Sequence, residues 1–195
     1  MATEEQALVA GLRRGEAAAF DAAYARLRAP LYGFLARLSG RREVAEDLLQ
    51  ETWLRLALHA HRLTPDTDLS AWLFTLARNL YRSHRRWNVV DTTLRQALAF
   101  ATARDHEPRS PFDFAAASQL ERRLERALAA LPLRYREPLL LCAVERLTPA
   151  QAAQVLGLRP EALRQRLSRA RGMLEAQLQD VSPLLEPRDE PAPQR

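Results

Sequence analysis

Between residues 131 and 174 the chain reads LPLRYREPLLLCAVERLTPAQAAQVLGLRPEALRQRLSRARGML, and this stretch leaves few folds open. Leu163, Leu167, Ala170 and Leu174 recur at the spacing of a single helical stripe, which has to be covered. Thr148-Pro149-Ala150-Gln151 has the order of a capping box with proline at the first helical position, so a short helix is predicted from Pro149 to Leu156. Gly157 supplies a turn and Pro160 opens the next helix. Helix, glycine-containing turn and helix at these lengths form a helix-turn-helix. A helical wheel places Gln165, Ser168, Arg169 and Gly172 opposite the apolar stripe, flanked by Arg164, Arg166 and Arg171. Amide, hydroxyl and guanidinium groups at that density suit base edges and phosphates, so the segment is expected to bind DNA.

Charge distribution supports this more than charge count does. All 29 basic residues are arginine, which codon bias in a GC-rich genome also produces, and the net charge is only +5. Clustering is the informative part. Four arginines and no acid lie between Arg78 and Arg86; five arginines and one acid, Glu161, lie between Arg159 and Arg171. Six glycines among abundant alanine, leucine, arginine and glutamate predict an all-α protein. The single cysteine, Cys142, rules out an internal disulfide; its place in the apolar run Leu139 to Val144 predicts a buried structural thiol. MATEEQALVAGLRRGE lacks the basic start and apolar core of a signal peptide, and no apolar run approaches the ~20 residues of a membrane span. A soluble, cytoplasmic protein without membrane insertion is expected.

Periodicity divides the chain into two small helical modules. Thr3 and Gln6 can cap a short first helix ending near Gly11. An amphipathic segment from Glu16 to Leu38 carries Phe20, Tyr24, Leu27, Leu31 and Leu35, with Pro30 inside it and Ser39-Gly40 closing it. A third helix spans Glu43 to His61, a loop spans Leu63 to Asp68, and a fourth helix starts at Ser70 and runs to Trp87. Residues 89–116 read as a linker with a weak helical patch at Leu94 to Phe100. Periodicity resumes at Ala117 with Leu120, Leu124 and Leu128. The expected units are thus 1–88 and 117–180, followed by a disordered, proline-rich tail at 181–195.

In the fourth helix Leu73, Leu76, Ala77, Leu80 and Trp87 share one side. Arg78, Arg82, Arg85 and Arg86 cover the other, with Trp72, Thr75 and Asn79 at its edge. Such arginines hold a phosphate backbone, and an asparagine or aromatic beside them can bond to or stack on an unpaired base. A solvated basic helix with Trp72 in the core is the plainer reading of the same residues. In the third helix Ala45, Leu48, Leu49, Thr52 and Leu56 form the inner stripe, while Asp47, Gln50, Glu51, Leu54 and Leu58 face outward. Leucines beside acids on an outer face suggest a protein partner with basic and apolar groups, or packing against the protein's own helices. His59 and His61 project to different sides, and no cysteine or acid cluster completes a metal site. No phosphate-binding loop, nucleophile elbow or carboxylate pair is present, so neither an enzyme nor a cofactor is expected.

Three blocks of sequence resemble the bacterial sigma factors of the extracytoplasmic-function (ECF) group. GEAAAFDAAYARLRAPLYGFLARL with VAEDLLQETWLRLALHAHRL looks like the start of their domain 2, DLSAWLFTLARNLYRSHRR like its promoter-melting part, and ALAALPLRYREPLLLCAVERLTPAQAAQVLGLRPEALRQRLSRARGML like their domain 4. The resemblance implies a promoter-specificity subunit, nucleoid-associated when active. Asp47, Gln50, Glu51, Leu54 and Leu58 would meet the clamp helices of core RNA polymerase. His61 to Leu69 and the fourth helix would recognise the −10 element as it opens, with Asn79 holding a flipped base, Trp72 supporting the loop, and Arg78, Arg82, Arg85 and Arg86 on phosphates. Arg164, Gln165, Ser168, Arg169 and Arg171 would enter the −35 major groove. An anti-sigma factor is a partner the resemblance allows. The chain departs from the family pattern at Arg159 and at Pro149-Ala150-Gln151, which bears on the promoter sequence rather than the fold. Two other readings fit parts of the chain: a helix-turn-helix regulator that works without polymerase, and a helical adaptor that binds only proteins.

Overall fold

The computed structural model describes residues 2–98 and 119–179, with side chains from residue 4 to residue 87 and from 119 to 179. Among the described residues eight α-helices appear in order: α1 (Ala2–Arg13), α2 (Ala17–Ser39), α3 (Arg42–His59), α4 (Leu69–Leu98), α5 (Gln119–Ala130), α6 (Leu133–Leu139), α7 (Pro149–Leu156) and α8 (Pro160–Gln179). A 3₁₀ turn (Ala60–Arg62) follows α3, and a π-helical turn (Leu140–Val144) follows α6. Among the described residues there is no strand.

The first module is a four-helix packing in which α2 and α3 form a hairpin and α1 and α4 close its sides. Gly40, at φ 66°, ends α2 by turning its N–H back to the Ala36 carbonyl at 2.9 Å, a left-handed cap that a side chain would strain. Pro30 lies within α2, where it can give no hydrogen bond to the preceding turn. Phe34 and Phe74 meet edge to face at 5.3 Å in the centre, among Leu31, Leu35, Leu56 and Leu73. The predicted inner stripe of α3 is buried in full, and Thr52 satisfies its hydroxyl on the Leu48 carbonyl at 2.7 Å.

In the second module Thr148 and Gln151 form the expected capping box: Gln151 N donates to Thr148 Oγ1 at 3.2 Å and Thr148 N to Gln151 Oε1 at 2.8 Å. Gly157, at φ 63°, makes the turn between α7 and α8. Leu163, Leu167 and Ala170 of α8 are buried against α6 and α7, with Leu131, Leu139, Leu140 and Val155 completing the core.

Two boundaries differ from the sequence reading. Helix α1 passes Gly11 and ends only before Gly15, at φ 75°. Helix α4 continues through the first ten residues assigned to the linker, to Leu98: the run from Asn88 contains no glycine or proline, so nothing local stops it. Residues 99–116, the rest of the linker, lie outside the described residues, as do 117, 118 and 180 of the second module and the tail at 181–195. Cys142 is half-buried rather than fully buried, and burial raises its thiol above the ordinary range.

The two modules pack directly on one another. Helix α4 lies against α7, and α2 touches α5 and α6, so that one apolar cluster runs through both units.

Candidate nucleic-acid surfaces and docking face

Helix α8 stands on a capped scaffold with its polar face in solvent. Arg164, Gln165, Ser168, Arg169 and Arg171 are all exposed and Arg166 is half-buried, as the wheel predicts. Gly172 leaves an open gap in this face, with nothing within 4 Å of where a Cβ would sit. Glu161 in the first turn receives Arg164 at 3.3 Å. Arg169 stands beside Tyr135: its hydrogen-bonding influence holds the phenol below its usual range, with Arg134 adding in the same direction. The Arg134 guanidinium also lies 4.8 Å from the Tyr135 ring centroid. Tyr135 thus lies next to the arginine face from the neighbouring helix, visible in sequence only as an aromatic between two arginines in LRYRE.

On α4, Asn79, Arg82, Arg85 and Arg86 are exposed and Trp72 is half-buried at their edge. Two residues depart from the helical-wheel expectation. Arg78 was assigned to the free basic face, but it is 7% exposed and paired with Glu137 of α6. A wheel assumes one covered side, whereas α4 is covered on two: its own module lies behind Leu73 and Ala77, and α7 lies beside it. Trp87 was assigned to the apolar side, but it is 73% exposed, because α4 has by then run past the end of the bundle.

The loop before α4 has an order that its sequence conceals. Thr64 N donates to Thr67 Oγ1 at 2.9 Å, the two threonine hydroxyls lie 3.0 Å apart, and Thr67 N returns to the Thr64 carbonyl at 3.0 Å. This closes a tight turn between the buried anchors Leu63 and Leu69, with Thr64, Pro65 and Asp66 at the surface. Asp68 Oδ1 accepts from Ala71 N at 2.8 Å and so caps α4.

The outer face of α3 matches the sequence reading. Asp47 and Gln50 are exposed, Glu51 is half-buried beside Arg55 at 2.6 Å, and Leu54 and Leu58 are 52% and 58% exposed. Beside this face, α2 and α3 bound an open groove of about 890 Å³ lined by Tyr24, Arg28, Tyr32, Trp53 and Leu54. Trp53 packs at 4.9 Å from Tyr24 and 5.7 Å from Phe20, which fixes the groove floor. A groove with aromatic walls next to two exposed leucines and two acids can seat a helix carrying apolar and basic groups. Among the described residues no group of three or more histidines, cysteines or acids could hold a metal ion, and no helix is long and apolar enough to cross a membrane.

Comparison with known proteins identifies the family. The Sigma-70 region 2 family matches residues 23–88, and the Sigma-70, region 4 family matches residues 121–174. The ECF RNA polymerase sigma factor EcfG of Rhodopseudomonas palustris (strain TIE-1) is 33% identical over 151 residues, covering 76% of this chain and 78% of the relative. RNA polymerase sigma factor CarQ of Myxococcus xanthus is 33% identical over 158 residues, 80% of this chain and 87% of that one. Among solved structures, CnrH in complex with the cytosolic domain of CnrY superposes with a TM-score of 0.70 at 25% identity, covering 91% of this chain and 99% of the other. With both regions matched in order and relatives aligned along most of their length, this chain belongs to the sigma-70 family, as an ECF sigma factor.

Proposed function

We propose that this sigma factor divides its work among the three surfaces just described. Residues 1–88 act as domain 2 and residues 117–180 as domain 4, with 89–116 connecting them. Asp47, Gln50, Glu51, Leu54 and Leu58, with the aromatic groove beside them, dock on core RNA polymerase. The turn at Thr64 to Asp66 and the exposed face of α4 read the −10 element. Asn79 receives a base flipped from the stack, Trp72 supports the loop, and Arg78, Arg82, Arg85 and Arg86 take phosphates. Flipping costs a few kcal/mol of stacking, which contacts in the pocket have to offset. Arg164, Gln165, Ser168, Arg169 and Arg171 read the −35 major groove. The chain is then the specificity subunit of an enzyme rather than an enzyme, and it works in the cytoplasm where its polymerase is.

The observation that carries this reading is the segregation of chemistry on one module: acids and leucines on the exposed side of α3, arginines and asparagine on that of α4. A regulator of duplex DNA alone has no use for the first of these. Because CnrH was solved with the cytosolic domain of CnrY, a protein partner that blocks the polymerase-docking face is a further expected ligand. The deciding experiment adds the purified chain to bacterial core polymerase with DNA of the source genome. Specific initiation is expected at a small set of promoters. If the chain shifts duplex DNA but never recruits core, the regulator reading replaces this one.

A further inference from the structure

The loop that precedes α4 is held at both ends by α1. At its start, α1 packs along the 3₁₀ turn Ala60–Arg62, and Ala60 and Leu63 share one buried cluster with Val9 and Leu12. At its end, Leu69 N donates to Glu5 Oε1 of α1 at 3.2 Å, across 64 positions of sequence. The other oxygen, Oε2, pairs with Arg26 Nη2 of α2 at 2.9 Å. One carboxylate thus joins three helices, and Arg26 holds it in the orientation that presents Oε1 to α4.

The first turn of an α-helix has N–H groups with no carbonyl behind them, and the helix dipole favours negative charge there. Asp68, just before α4, meets part of this demand. Its Oδ1 accepts from Ala71 N at 2.8 Å and its backbone carbonyl from Trp72 N at 2.9 Å. Its other oxygen is engaged elsewhere, accepting from Gln151 Nε2 of α7 at 2.7 Å. Leu69 N still needs an acceptor, and Leu69 itself is fully buried. Glu5 supplies that acceptor from a different helix. The apolar pattern of α1 does not require a glutamate there: its core contacts are Leu8, Val9 and Leu12, and the neighbouring Glu4 is exposed. Only residues 64–68 separate Leu63 from Leu69, so a shift in the first turn of α4 moves whatever the loop presents. Recognition groups have to stand within about 0.5 Å of their productive geometry.

We propose that Glu5 is a positioning residue for −10 recognition: it caps α4 from α1, and so sets where the turn at Thr64 to Asp66 and Asn79 stand against the opened strand. This rests on the placement of that turn and α4 in the −10 surface. Glu5 needs no contact with DNA. It acts through Leu69 N, with Arg26 as its orienting partner, and the −35 face of α8 lies outside its reach. The N-terminal helix thereby takes part in promoter discrimination.

The test compares the full chain with Glu5→Ala and Glu5→Gln. Alanine removes both bonds and suits a helix; glutamine keeps an acceptor oxygen for Leu69 N and loses the ion pair. Amide exchange followed by NMR reads the cap without polymerase. At Leu69 it should quicken at least about tenfold in Glu5→Ala and return most of the way in Glu5→Gln. Unchanged exchange at Leu69 would overturn the cap. Holoenzyme made with each chain is then run on two promoter libraries, one randomised at −10 and one at −35. Discrimination at −10 should fall about fivefold in Glu5→Ala, the size of a lost helix cap, and be rescued by Glu5→Gln, with −35 preference unchanged. If Glu5→Ala does not fold, Arg26→Gln, which leaves the carboxylate but not its orientation, carries the same comparison. A lowered Tm with −10 preference intact would make Glu5 structural only and overturn the proposal, as would equal losses at both elements. A parent chain that initiates at no promoter would instead sink the sigma-factor reading, and this one with it.

Discussion

Single side chains on the two DNA-reading helices are expected to fail in different ways. Arg82→Ala removes an exposed guanidinium that grips phosphate without reading sequence. Its holoenzyme should bind all promoters more weakly, with the slope of log affinity against log salt reduced by about 1. If Arg169 reads a base edge as proposed, Arg169→Ala is expected to lose about 1–3 kcal/mol, with relaxed preference at one −35 position. Binding selection from a randomised −35 library separates the two, since an unrelaxed preference in the Arg169 variant would reassign that residue to the backbone. Most of this was legible in the residues: five of five −35 candidates on α8 are exposed where the wheel put them. Arg78 was not, because the partner that buries it, Glu137, lies 59 positions away and belongs to another module. Periodicity describes one helix and its near side only. Nothing in LARNLYRSHRR records a second neighbour.

At the scale of elements, local signals decided where helices begin and which face they cover, while their ends depended on what they meet. Thr148→Ala removes the capping box of α7 and should cost about 1 kcal/mol, seen as a lower Tm with unchanged helix content. Arg146 is the one described non-glycine residue at positive φ, 57°, in the short connection to that cap. Arg146→Gly relieves the clash between its Cβ and backbone, and should raise stability by about 1 kcal/mol. A denaturation midpoint that fell would show that its side chain contributes more than the strain removes. The outer face of α3 responds to a different assay. Leu54→Asp with Leu58→Asp should leave the fold intact, because both side chains are already in water, yet reduce core polymerase binding at least tenfold. The π-helical turn at Leu140–Val144 and the continuation of α4 to Leu98 were not legible: no residue type marks the first, and Asp91, Thr92 and Thr93 make the second read as loop.

At the scale of the whole molecule, the contact between modules contains a titrating group. Glu145 faces α2, where Arg37 draws its carboxyl down and is itself held by Glu125. Burial dominates and lifts the carboxyl to about 7. A carboxyl whose value is raised by the packing of the modules favours the packed arrangement fully below its ordinary range, and that contribution is lost as pH rises from there through about 7. Energy transfer between fluorophores on the two modules should therefore fall between about pH 4.5 and pH 7 and should lose that dependence in Glu145→Gln; a dependence that persists in the variant would assign it to another group. The bond between Asp68 and Gln151 has a consequence of a genetic kind. One carboxylate closes the first turn of α4 and also grips the residue that closes the first turn of α7. A change at position 68 is thus felt twice, once inside its own helix and once across the chain. The two positions should behave as a single heritable unit, in which a loss at one is rescued only by a matching donor or acceptor at the other.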